Sequence, residues 1–330
     1  MNSGTLRLLG VIVALLAAWL IIVEMNGDKG ADQNGNLLFP GLRATINEIG
    51  TLSVTRSGEN TVVVSNATGQ WVVAARDGYP ADIGRIRDVL LAMADARVVE
   101  AKTADPALHG RLGISSPDVA GSKGILVVAA TDDVSFALVF GNASQGNYRY
   151  ARKADEDQSW LIDQNPDIPS SPGEWLDPDI IDIDSSRVKT LTISHPDGEI
   201  IRIRKESEAD SSFEVADVPE GRELSYSTVA NGMGGALNDL DLDDVRRESQ
   251  EENDAVTAEF ETFDGLTVTV RTVKTDDASW ITLNATATGD AEDEAAEING
   301  RLAGWQYGIA EYKANLLTRR WDDILKAETE

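Results

Sequence analysis

The 330-residue chain has no cysteine, which excludes disulfides, thiolate metal sites and a cysteine nucleophile. Histidine is almost as scarce. His109 and His195 are the only two, and neither has a partner ligand at metal-binding spacing. Both read as loop residues, one before GRLG and one in the turn HPDG. No G-x-S-x-G accompanies them, so a hydrolase triad has no nucleophile elbow to build on. Basic residues are outnumbered by acidic ones, 29 to 56, for a net charge of −27. Such a surface repels phosphate backbones and anionic headgroups, so no nucleic-acid partner is expected. The acidity reads as a solubility device, suited to a medium whose salt screens self-repulsion.

The acidic stretches offer little coordination chemistry. DLDLDD at 239–244 places Asp244 where a calcium loop needs glycine and Gln250 where it needs glutamate, so a strand or helix exit is expected instead. DPDIIDID at 177–184 reads as a linker. NGMGGAL at 231–237 lacks the order of a phosphate or dinucleotide loop. No cofactor or metal site is expected, and no carboxylate pair stands out for glycoside hydrolysis.

An apolar composition of 42% with seven tryptophans suffices for packed cores, and the length accommodates two domains. From Leu8 to Val23 the chain runs LLGVIVALLAAWLIIV without a charge, about 24 Å as a helix. Arg7 precedes this run and Glu24 and Asp28 come after it, which keeps the N-terminus in the cytoplasm and sends the rest outside. The alternative is a cleaved signal peptide, but EMNGDKG offers no Ala-x-Ala site. Residues 1–25 are therefore expected to be a transmembrane signal anchor. Gly10, Ala14 and Ala18 fall on one face of it, where small side chains let another membrane helix approach. Residues 26–45 read as a flexible tether, with LLFP placed to dock on the first module.

Beyond the tether one pattern occurs twice. LSVTRSGENTVVV at 52–64 and LTISHPDGEIIRIRK at 191–205 both alternate apolar and polar residues around a glycine-containing turn, a hairpin signal. Leu52 and Leu191 are 139 residues apart. Short strands come next at 70–74 and 212–216. Then there are a helical stretch with Ile83, Ile86, Leu90, Met93 and Ala94 on one side, and a glycine-weakened counterpart around 224–242. Further strands complete each half. Trp160 matches Trp305 and Trp175 matches Trp321 at offsets of 145 and 146, with an acidic helix inserted before Trp305. The expectation is an α+β protein with two tandem related modules, 46–184 and 185–330, each a mostly antiparallel sheet with a packed helix. Trp71, Trp160, Trp175, Trp305 and Trp321 read as core anchors, with a surface aromatic patch as the alternative.

The N-terminal anchor, TGQWVV before a proline-initiated helix, GRLGISSP after it, FGN…GNYRYAR…WLID, and the terminal AGWQYGIAEYKANLLTRRWDDIL together resemble the bacterial family called domain of unknown function 4340. The resemblance spans Ile46 to Leu325. It implies a non-enzymatic extracytoplasmic accessory subunit of a gliding-motility-type ABC transport system, with the permease and ATPase as partners. The rival readings are a periplasmic module that binds cell wall or polysaccharide and a hydrolase with dispersed carboxylates.

Overall fold

A computed structural model describes residues 36–56, 62–66, 69–248 and 254–327. The anchor, with Gly10, Ala14 and Ala18, lies outside the described residues. Among the described residues no helix is long and apolar enough to cross a membrane. The chain is α+β, with antiparallel sheets and few helices, and forms two compact units. One comprises residues up to Val72 together with Ile83–Ser170. The other comprises Val73–Asp82 together with Ser171–Glu330.

In the first unit, α1 (Pro40–Thr45) precedes β1 (Thr51–Arg56), β2 (Val62–Asn66) and β3 (Trp71–Val73). After β4 (Tyr79–Pro80), which belongs to the second unit, the first continues with α2 (Ile83–Asp95), β5 (Val98–Ala101), α3 (Pro106–Leu112), β6 (Ile125–Ala130), β7 (Ser135–Ala143), β8 (Arg149–Lys153) and β9 (Ser159–Ile162). The sheet runs β3-β2-β1-β6-β7-β8-β9-β5. Alternation does the sorting: Leu52, Val54, Val127, Ala129, Leu138 and Phe140 are all buried. Helix α2 buries Ile86, Val89, Leu90, Met93 and Ala94, while Ile83, expected on that face, starts the helix and stays 54% exposed.

The second half of the expected tether is packed rather than free. Leu38 donates its N–H to the Ala96 carbonyl, Val98 donates to Asn36, and Leu37 bridges Arg97. Leu38, Phe39 and Leu42 are buried, and Phe39 meets Phe136 edge-on at 5.7 Å. The docking expected for LLFP is seen, and it extends through Leu42: three buried side chains outweigh the ordering cost of a short segment.

The second unit holds β10 (Asp179–Ile181), β11 (Val188–Ser194), β12 (Ile200–Arg204), β13 (Glu214–Ala216), α4 (Asn231–Gly234) and β14 (Leu240–Arg247). It continues with β15 (Val256–Thr262), β16 (Leu266–Lys274), β17 (Ser279–Ala287), α5 (Glu292–Leu302), β18 (Trp305–Ile309), α6 (Glu311–Leu317) and α7 (Trp321–Ile324). Its sheet runs β13-β12-β11-β15-β16-β17-β18-β14, with β10 outermost. Strand for strand, this is the order of the first sheet. Acidic 177–184, expected as a linker, supplies β10, because Ile180, Ile181 and Ile183 are buried. The glycine-rich counterpart of α2 shrinks to the single turn α4. A Cβ on Gly234 would clash with the Phe213 ring, so its glycine serves close packing instead of helix length. The acidic insert does form a helix, α5.

Candidate functional site

Charge is divided unevenly between the units. Residues 1–72 and 83–170 carry 13 basic and 17 acidic side chains, net −4; residues 73–82 and 171–330 carry 16 and 39, net −23. A concavity of about 540 Å³ lies in this acidic part. Strand β14 brings Asp243 and Asp244 to its wall. The β16–β17 turn brings Asp276 and Asp277, and Glu311 enters at the start of α6. Trp280 forms an aromatic wall and is itself covered by the Arg246 guanidinium, 4.0 Å from the ring, which also donates to Gln306 at 2.7 Å. Lys274, the cation on the rim, donates to the Asn315 side chain at 2.9 Å. Asp244 receives a two-pronged contact from Arg76, whose Nη2 lies 2.9 Å from Oδ2.

Beside this cleft the carboxylates crowd one another. Burial raises the Asp241 carboxyl above the usual range, and Asp179, Asp239 and Asp243 add to the shift. Asp177 is raised by burial too, with Asp179 and Asp82 contributing. Lys313 sits beneath, only 9% exposed, and donates to the carbonyls of Ala236 (3.3 Å) and Asn238. Burial holds its ammonium below the ordinary lysine value. Tyr79, Trp305 and Tyr307 form a buried cluster, with Tyr79 edge-on to Trp305 at 5.0 Å and to Tyr307 at 6.1 Å. Burial and the Asp177 carboxylate push the Tyr79 phenol up to about 12, and burial raises that of Tyr307 as well.

The histidines and the buried cations are tied to main chain. His109 lies in helix α3, not a loop, because Asp105 caps that helix by accepting from Ala107 at 3.0 Å. Its Nε2 lies 2.8 Å from the Asp157 carbonyl, and that of His195 lies 3.0 Å from the Arg319 carbonyl. Arg152 donates to the carbonyls of Ile114, Lys153, Ala154 and Glu156. Arg149 serves Gly141 and Pro166, and Lys205 serves Ser185. Among the described residues no group of three or more histidine or carboxylate side chains is placed to hold a metal ion.

The five repeated tryptophans do not gather into one patch. Trp175 is fully buried and Trp305 is 9% exposed, while Trp71, Trp160 and Trp321 are half-buried. Trp280, the one in the acidic cleft, lies outside that series. Its signal was the alternation of SWITLNATA, which sends Trp280, Thr282 and Asn284 to the face opposite buried Ile281, Leu283 and Ala285.

Fold and surface together define an α+β protein of antiparallel sheets whose second unit carries most of the net negative charge. The family described as Domain of unknown function (DUF4340) matches residues 71–261, and the chain belongs to this family. No curated protein and no solved structure matches it.

Proposed function

We propose that this protein is a non-enzymatic scaffold of the bacterial inner membrane, anchored by its N-terminal helix with the remainder outside. In this reading it is an accessory subunit of an ABC-type transport complex and works with the permease and ATPase. The observation that carries the scaffold reading is where the reactive groups are used. Both imidazoles, the buried Arg152, Lys205 and Lys313 and the half-buried Arg149 hold backbone carbonyls, which fixes architecture and leaves no activated base or nucleophile among them. The concentration of charge in the second unit supports a basic partner surface there. The transport-complex part rests on the family resemblance.

We also infer that the two halves descend from one duplicated module. Their eight-strand order is the same, and Leu52 and Leu191 occupy the same place, each on the central strand beside the four-strand meander. Insertions explain the drifting offsets, the connection that holds α3 in the first half and the one that holds α5 in the second being the main ones.

The test is partner retention on the full-length protein. Charge reversal of Asp243, Asp276 and Asp277 to lysine should release the partner at lower salt than the parent does, because exposed ionic contacts are screened. Identical retention across a salt series would remove the acidic surface from the account.

A further inference from the structure

The polar face of the second sheet carries a smaller cleft of about 250 Å³, lined by Glu248, Thr269, Arg271, Thr282, Asn284 and Trp305. Arg271 stands directly across from Thr282, and Thr269 across from Asn284, on neighbouring strands β16 and β17. Strand spacing and rise place these four side chains at the corners of a rectangle about 5 by 7 Å. The C-terminal end of α5 closes one side, through Asn299, Leu302 and Gly304. None of Glu248, Thr269, Arg271, Thr282 or Asn284 has a side-chain hydrogen bond or ion pair to another described residue. Five hydrogen-bonding groups thus converge on one concavity, with no side-chain partner among the described residues.

The first unit supplies an internal comparison. Tracing the register outward from Leu52 and Leu191, Thr269 corresponds to Ala137, Arg271 to Val139 and Thr282 to Arg152. There Val139 is 1% exposed, and Arg152 is consumed by four carbonyls. The connection from β8 to β9 is only residues 154–158, so no helix builds a wall. One strand framework therefore closes this face in the first unit and opens it in the second, lined with polar groups that have no side-chain partner among the described residues.

We propose that this cleft is a carbohydrate subsite that takes one neutral pyranose unit of a glycan. Its scale is that of a sugar ring with its hydroxyls. Arginine donates, glutamate accepts, and the asparagine and threonines do both, which suits a ligand whose every edge is a hydroxyl. An anion meets Glu248 and a unit of net charge −23, and a cation meets Arg271, so a neutral polyol is favoured over either. Trp305 offers an edge and no stacking plane, because Arg247 covers its ring at 3.6 Å. A single ring is accordingly held weakly. This site stands on the cleft alone and is independent of the transport-complex reading.

The experiment uses the full chain in a detergent without a sugar headgroup, titrated with maltotriose, cellotriose and chitotriose and monitored by saturation-transfer NMR. Saturable binding of at least one is expected. Arg271→Ala and Asn284→Ala should each weaken it fivefold or more, with unchanged thermal unfolding. Thr192→Ala, on the same sheet face but outside the cleft, should leave it alone. Three results each overturn the proposal: no saturable signal with any of the three sugars, affinity unchanged in both cleft variants, or inorganic phosphate bound as tightly as the best sugar.

Discussion

Asn299 closes a gap in the second sheet, and its removal has a calculable consequence. Strand β18 pairs with β17 only at Ser279–Ile281, so the outer edge of β17 has no strand partner further along. The Asn299 amide fills that place. Its Oδ1 accepts from the Ala285 N–H at 2.8 Å, and its Nδ2 donates to the Ala285 carbonyl at 2.7 Å. Ala285 is 2% exposed, so Asn299→Ala leaves two buried main-chain groups unpaired. At about 1–3 kcal/mol each, with some water admitted at the helix end, the expected loss is about 2–4 kcal/mol. Ala295, Ile298 and Leu302 keep α5 seated, which confines the effect to the strand edge. Asn299→Asp should cost at least as much, because a carboxylate oxygen replaces the donor facing the carbonyl. Global denaturation reports on a whole unit and does not localise the effect to this strand edge. Amide exchange of peptides covering 279–287 is direct: protection should fall about 30- to 700-fold, at tenfold per 1.4 kcal/mol. Exchange within threefold of the parent would refute the edge-capping argument.

Gly141→Ala places a Cβ 2.5 Å from the Leu112 carbonyl oxygen and the Ile114 side chain, and should cost about 2–3 kcal/mol by calorimetry. Gly50→Ala, with nothing near its Cβ, should be neutral or stabilise by about 0.5 kcal/mol. Leu42→Ala, at a fully buried position in the docked N-terminal segment, should destabilise the first unit by about 2–4 kcal/mol in thermal unfolding. In an alkaline titration read by tyrosinate absorbance, Tyr79 should remain neutral until about pH 12. Because its folded value is raised, the stability it contributes is complete below the ordinary value near 10 and lost as pH rises through 12. Tyr79→Phe should remove one late-ionising phenol, and early ionisation of all six tyrosines would contradict the buried cluster.

Much of the fold was legible because strand alternation and turn chemistry are local. Leu52/Val54 and Leu191/Ile193 announced their buried faces, and HPDG announced a turn whose Gly198 has φ +95°. The tether was legible only in part: glycine and asparagine dominate its composition, whereas burial of Leu38 and Leu42 depends on a surface contributed from residues 96–98 and beyond. The acidic run at 177–184 looked like a linker because its aspartates conceal three isoleucines that face inward. His109 was misplaced since Gly110 and Gly113 obscured a helix that Asp105 and Pro106 begin. The clefts were least legible. Asp243 and Asp276 are 33 residues apart, and Arg271 and Asn284 become neighbours only through the β16–β17 register. Unspent polar groups on an alternating strand are an ordinary solvent face until an inserted helix walls them in.

The scaffold account is tested most directly by what leaves the membrane with the protein. Affinity isolation of the full-length chain from native membranes in mild detergent, with mass spectrometry of its companions, should recover an ABC-type permease and its ATPase. Substituting Ala14 and Ala18 by leucine should diminish both. Recovery of the chain without detergent, or from membranes with neither subunit attached, would contradict the account.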